Sequence, residues 1–140
     1  MTTSRWQERN YQPATLILLL AAMLRLAGLL TLPIFLDEAF HIAWARQVYH
    51  GQLFAGLINN KMLYPVLIAP LAPLGPESLF LARFASVLYG MLAVAAVIAL
   101  GQALAGRRAA LIAGLLYAIL PFAVFHERQA LVDPLMACFT

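Results

Sequence analysis

The chain has 140 residues, 64% of them hydrophobic and only 11% charged, against about 25% charged in an average soluble domain. With a mean hydropathy of +0.85 there is too little polar side chain to cover a compact globule, which argues against a water-soluble fold and for lipid as the solvent of much of the chain. The net charge of +3 comes from nine Lys and Arg residues scattered without a basic stripe, which argues against nucleic acid as a partner, and the lone Cys138 can neither close an intrachain disulfide nor build a thiolate cluster.

In chain order, a polar tail (1–13) with Arg5 and Arg9 precedes an apolar run (14–36) broken only by Arg25. At about 1.5 Å per residue that run reaches across a hydrocarbon core of about 30 Å, and it is the first expected span. A secretory signal peptide is the rival reading; it is disfavoured because apolar sequence resumes after Arg25 and no A-x-A site follows the first run. The mixed segment 37–78 cannot cross as one helix and reads as a large first outer loop. Its opening looks helical: Asp37 stands where a cap would, Phe40, Trp44 and Val48 recur at i, i+4 and i+8, and Gly51 is placed to stop the helix. Pro65, Pro70, Pro73 and Pro76 then break any regular span.

A second expected span covers 79–104, with Arg83 near one end where it could snorkel. Ala105-Gly106-Arg107-Arg108 makes a basic turn and a third span returns over 109–125. Asp133-Pro134, a cap followed by proline at the first helical position, opens a fourth helix of which only about seven residues precede Thr140, so the reading expects the front of a longer protein or a chain completed by a partner. The expected fold class is all-α: a multi-pass transmembrane protein with three spans, the start of a fourth, and short juxtamembrane helices in the first outer loop. Arg5, Arg9, Arg107 and Arg108 crowd short segments, whereas Arg46, Lys61 and Arg128 are spread over longer ones, so the expected location is the cell (inner) membrane with the N-terminus cytoplasmic.

Chemistry concentrates in two places. Asp37 and Glu38 are adjacent carboxylates at the outer end of the first span; they serve either as a cap and a favourable charge at a helix N-terminus or as a general base at a water–lipid boundary, where desolvation raises a carboxylate towards the working pH. Glu38 and His41 stand at i, i+3, a spacing that metal sites use, so a divalent cation is a candidate ligand if further donors converge. The second cluster is His126, Glu127, Arg128 and Asp133. It reads either as a solvated loop with a cap or, with Lys61, Arg46 or Arg83 as helpers, as a grip on a phosphate or pyrophosphate at the membrane surface. Arg25 lies about 18 Å deeper than Asp37 and should face other helices; the sequence does not name its partner. No glycine-rich phosphate loop is present.

Taken in order, Leu24-Arg25-Leu26, Pro33, Leu36-Asp37-Glu38-Ala39, Ala82-Arg83-Phe84-Ala85-Ser86, Gly106-Arg107-Arg108-Ala109-Ala110, Leu120-Pro121 and His126-Glu127-Arg128 through Asp133 resemble the membrane-embedded GT-C glycosyltransferases that use lipid-linked sugars, the protein O-mannosyltransferases and aminoarabinose transferases of glycosyltransferase family 39 type. Many members of that family carry a His-Pro-Pro-like element in the first loop; this chain has Asn60-Lys61-Met62-Leu63-Tyr64-Pro65 instead. The resemblance implies a polyprenyl-phosphate sugar donor, an extracytoplasmic protein or lipid acceptor, and inverting transfer. It further implies Asp37 as base, Glu38 orienting the acceptor or assisting a cation, and Arg128 stabilising the phosphate leaving group, with Lys61, His126, Glu127 and Asp133 in substrate contacts. The alternative is a non-catalytic transmembrane subunit packed among partner subunits.

Overall fold

The computed structural model describes residues 11–55, 57, 61–72 and 75–139. The tail residues Arg5 and Arg9, together with Asn59, Asn60 and Pro73, lie outside the described residues. Among those described, the regular elements are all helical: α1 (Gln12–Leu26), α2 (Leu36–Tyr49), α3 (Leu63–Ile68), α4 (Ser78–Ile119), α5 (Pro121–His126) and α6 (Asp133–Phe139). Two single 3₁₀ turns, Ala69–Leu71 and Gly75–Glu77, carry the proline-rich stretch between α3 and α4.

The expected set of three spans and the start of a fourth is not supported. One continuous run, Gly75–Ile119, with a mean hydropathy of 2.2, has the length and composition to cross a bilayer. The first expected span is interrupted: α1 is 15 residues long, about 22 Å of rise, and ends in a turn built on Gly28 at φ 60°. The second and third expected spans belong to the one run, which folds at Gly106 (φ 81°, ψ 177°), a conformation open to glycine and strained for any residue with a Cβ. Of its two arms, 78–105 is long enough to cross and 107–119, at about 20 Å, is not. The fourth expected element, α6, has seven residues.

The two arms of α4 lie back to back. A Cβ on Gly101 would stand 2.9 Å from the Ala110 Cα, and one on Gly114 would overlap Ile98 Cγ1, so glycine is what lets the arms approach. Across them lies α1, whose Ile17 and Ala21 bury against Val94 of the first arm and Ala118 of the second. A second core caps the other end, where Ile42 and Ala45 of α2, Tyr64 and Ile68 of α3, Ala82 of α4, Ala130 and Leu135 of α6 meet. Much of the remaining apolar surface faces outward, including Leu104, Phe122 and Phe139.

Candidate functional site

Two buried arginines organise the end of the molecule that carries the sequence-predicted residues. Arg83, fully buried rather than snorkelling, forms a two-pronged bond to Glu38: Nε to Oε1 at 2.8 Å and Nη2 to Oε2 at 2.7 Å. Its other hydrogens go to the carbonyls of Leu29 (2.8 Å), Leu32 (3.0 Å) and Pro33 (3.1 Å), in the connection between α1 and α2. Glu38 in turn accepts the backbone N–H of Phe35 at 2.9 Å and of Ala130 at 2.7 Å. The first of these caps α2, so Glu38, three positions into the helix, does the capping expected of Asp37. Burial alone would raise the Glu38 carboxyl, but the hydrogen bonds from Arg83, Phe35 and Ala130 together outweigh it and hold the group below the usual carboxylate range. Glu38 is thereby a tie between α2, α4 and the 129–131 segment.

The second arginine, Arg25, bonds Glu127 through Nε at 2.5 Å and the carbonyl of Ala118 through Nη1 at 3.0 Å. Tyr117 donates to the other oxygen of Glu127 at 2.9 Å. Gly90 leaves room for this carboxylate, since a Cβ there would meet Glu127 Oε2 at 2.5 Å. Glu127, expected in a substrate contact, is instead 3% exposed and occupied by Arg25.

Arg128 donates through Nη2 to the carbonyls of Ala27 and Gly28, the latter at 2.7 Å. Arg83 and Arg128 between them hold five carbonyls of the irregular 27–33 stretch. His126 Nδ1 bonds the carbonyl of Phe122 in its own helix at 2.9 Å, and Asp133 is exposed at the first turn of α6. The structure therefore brings Glu38 and the 127–133 segment to one end of the molecule, while the cationic head of Arg128 grips backbone.

What stays open is a cleft of about 340 Å³ lined by Asp37, Phe40, His41, Trp44 and Lys61. The Asp37 carboxylate, 47% exposed, lies 3.6 Å from Lys61 Nζ. His41 was noted in the sequence only as a metal-spaced partner of Glu38. In the fold it is 1% exposed, its Nδ1 lies 3.0 Å from the carbonyl of Ala130, and its Nε2 is closed to solvent and has no hydrogen-bond partner among the described residues. A carbonyl only accepts, so Nδ1 carries the proton and Nε2 presents a lone pair when the ring is neutral. Burial pushes the His41 pKa down, favouring that neutral ring. Phe40 and Trp44 stack at 5.9 Å with their planes 19° apart, and the edge of His41 meets Trp44 at 5.7 Å. Asp37, Phe40, His41 and Trp44 occupy i, i+3, i+4 and i+7 of α2, so one helical face supplies an acid, an imidazole and two aromatic rings.

Among the described residues, no three His, Cys, Asp or Glu side chains gather as metal ligands. Glu38 cannot serve as the partner of His41 in such a site while Arg83 holds both its oxygens. No family model, curated protein or solved structure matches this chain.

Proposed function

We propose that the chain supplies the acid-bearing outer loop of a membrane glycosyltransferase that moves a sugar from a polyprenyl-phosphate donor to an extracytoplasmic acceptor with inversion. The observation that carries this reading is the division of labour in the acid pair. Glu38 is locked to Arg83 and two backbone N–H groups, which fixes the start of α2, while Asp37 beside it stays half exposed at the cleft, 3.6 Å from Lys61. A carboxylate on a rigid backbone at the edge of a small cleft is placed to take a proton from an acceptor hydroxyl. As that oxygen bonds the anomeric carbon, the carbon–oxygen bond to the lipid phosphate breaks and the phosphate leaves with the electron pair. Lys61, rather than the backbone-bound Arg128, offers the positive charge for it. The exposed apolar exterior supports a cell-membrane setting, with the N-terminus assigned to the cytoplasm by the distribution of arginines.

The same exterior also favours the alternative, a non-catalytic subunit covered by partner subunits. Asp37→Asn in the full-length protein separates the two. Because Asp37 is half exposed and paired only across a surface distance, the variant should fold as the parent does. The transferase reading expects sugar transfer from a polyprenyl-phosphate donor to fall by about 10²-fold or more, and unchanged transfer would refute the role of base.

A further inference from the structure

We infer that the cleft on α2 is a carbohydrate subsite that seats one pyranose ring, its flat face on the Phe40–Trp44 pair and two neighbouring hydroxyls directed to Asp37 and to Lys61. This rests on the transferase reading and adds the chemical class of the acceptor, a sugar hydroxyl rather than a serine or threonine side chain. Three observations converge on it. At about 340 Å³ the cleft sits at the small end of ligand sites, which run to about 1,000 Å³, so it takes a single ring and not a polymer. Its hydrogen-bonding inventory joins an acceptor to a donor: the Asp37 carboxylate accepts and the Lys61 ammonium donates. A vicinal diol matches that set, since one hydroxyl can donate to Asp37 while the oxygen of its neighbour accepts from Lys61. The aromatic pair then supplies a flat, apolar wall one ring wide, against which the C–H face of a pyranose packs.

Lys61 and the aromatic pair make the fit specific. An apolar ligand would offer nothing to Asp37 and Lys61, and a peptide hydroxyl brings no flat C–H face to Phe40 and Trp44.

The test uses the full chain in detergent micelles with Trp6→Phe, which leaves Trp44 as the sole tryptophan. Its fluorescence is titrated with methyl α-mannopyranoside, methyl β-glucopyranoside and methyl β-galactopyranoside, with linear sorbitol and a threonine-containing tetrapeptide alongside. A saturable change with at least one pyranoside, and none with sorbitol, is expected. Phe40→Ala should weaken that binding roughly fivefold and Asp37→Asn about tenfold or more. Both replace partly exposed side chains, and far-UV circular dichroism verifies the fold of each. No saturable response to any pyranoside, or a response to the tetrapeptide alone, overturns the inference. The outcome is separable from that of the transfer assay. Transfer that depends on Asp37 without pyranoside binding removes the acceptor assignment and keeps the transferase; pyranoside binding without transfer does the reverse.

Discussion

Replacing Arg83 with methionine removes the guanidinium and keeps most of the apolar stem, so the structure allows its effect to be worked through group by group. Glu38 would keep one backbone donor on each carboxylate oxygen, from Ala130 and Phe35, but would remain a fully buried charge with no counter-ion. Breaking a buried pair from one side costs about 3–5 kcal/mol. Of the three carbonyls released, those of Leu32 and Pro33 belong to partly exposed residues that water can reach, whereas Leu29 is buried, which adds about 1 kcal/mol. The expected loss is therefore about 4 kcal/mol or more, a large share of the roughly 5–15 kcal/mol that holds a typical domain. Adding Glu38→Gln to that variant removes the stranded charge, so the double variant should be less destabilised than the sum of the singles, with a coupling of about 2 kcal/mol. Guanidinium unfolding in detergent micelles, followed by far-UV circular dichroism across the four proteins of the cycle, measures both quantities. A loss below about 1 kcal/mol for Arg83→Met, or strict additivity, would show that Glu38 and Arg83 do not form the tie described above. Acid should act on the same tie. Because the folded Glu38 titrates below the ordinary carboxylate value, its contribution is complete above about pH 4.3 and is lost as pH falls from there through its folded pKa.

His41 gives a second pH dependence with its own window. Its pKa is lowered in the fold, so the unfolded chain binds the extra proton first; stability from this group is complete above about pH 6.5 and declines as pH drops below it. His41→Phe should flatten that part of the pH–stability curve, and a curve that keeps its slope assigns the effect elsewhere. Gly106→Ala meets no neighbour within 4 Å and is penalised only through φ 81°, so a loss of about 1–3 kcal/mol is expected, read by guanidinium unfolding in detergent micelles. Gly90→Ala places its Cβ 2.5 Å from Glu127 Oε2 and 3.0 Å from Glu127 Cβ, and because Arg25 and Tyr117 pin that side chain the variant should lose about 1–3 kcal/mol in the same unfolding assay.

Local signals in the sequence found most of the turns. Gly51, at φ 92°, follows the end of α2, and Asp133-Pro134 opens α6, because glycine at positive φ and proline in a first turn are constraints of single residues. The number of spans was not legible. A run of apolar residues reports transfer energy alone, and it does not reveal that the helix within 14–36 ends at Leu26, ahead of the turn at Gly28, or that 79–125 turns back at Gly106. The roles of charged residues were harder still. Asp37 and Glu38 are indistinguishable neighbours in sequence, and only the arrival of Arg83 from 45 residues away and of the Ala130 N–H from 92 away separates the anchor from the free acid. Arg25 and Glu127 are 102 positions apart, a distance over which periodicity carries no information.

The arginines show why charge in an apolar chain misleads a reading by motif. A guanidinium near a carboxylate suggests a phosphate grip, yet Arg83 divides its donors between Glu38 and three carbonyls of 27–33, and Arg128 gives Nη2 to two more. That stretch must leave helical geometry to turn α1 into α2, and its carbonyls, the buried one of Leu29 above all, need donors that a helix would otherwise supply. Five donors in a planar fork satisfy several of them at once, something a lysine with its single point charge does less well. It follows that the cation left for an anionic ligand is the one in no such grip, and beside the cleft that is Lys61, 34% exposed and paired with Asp37 at 3.6 Å. The residue that sequence reasoning placed among the substrate contacts, in a loop segment without regular structure, is on this argument a better partner for a phosphate than the arginine first assigned to it.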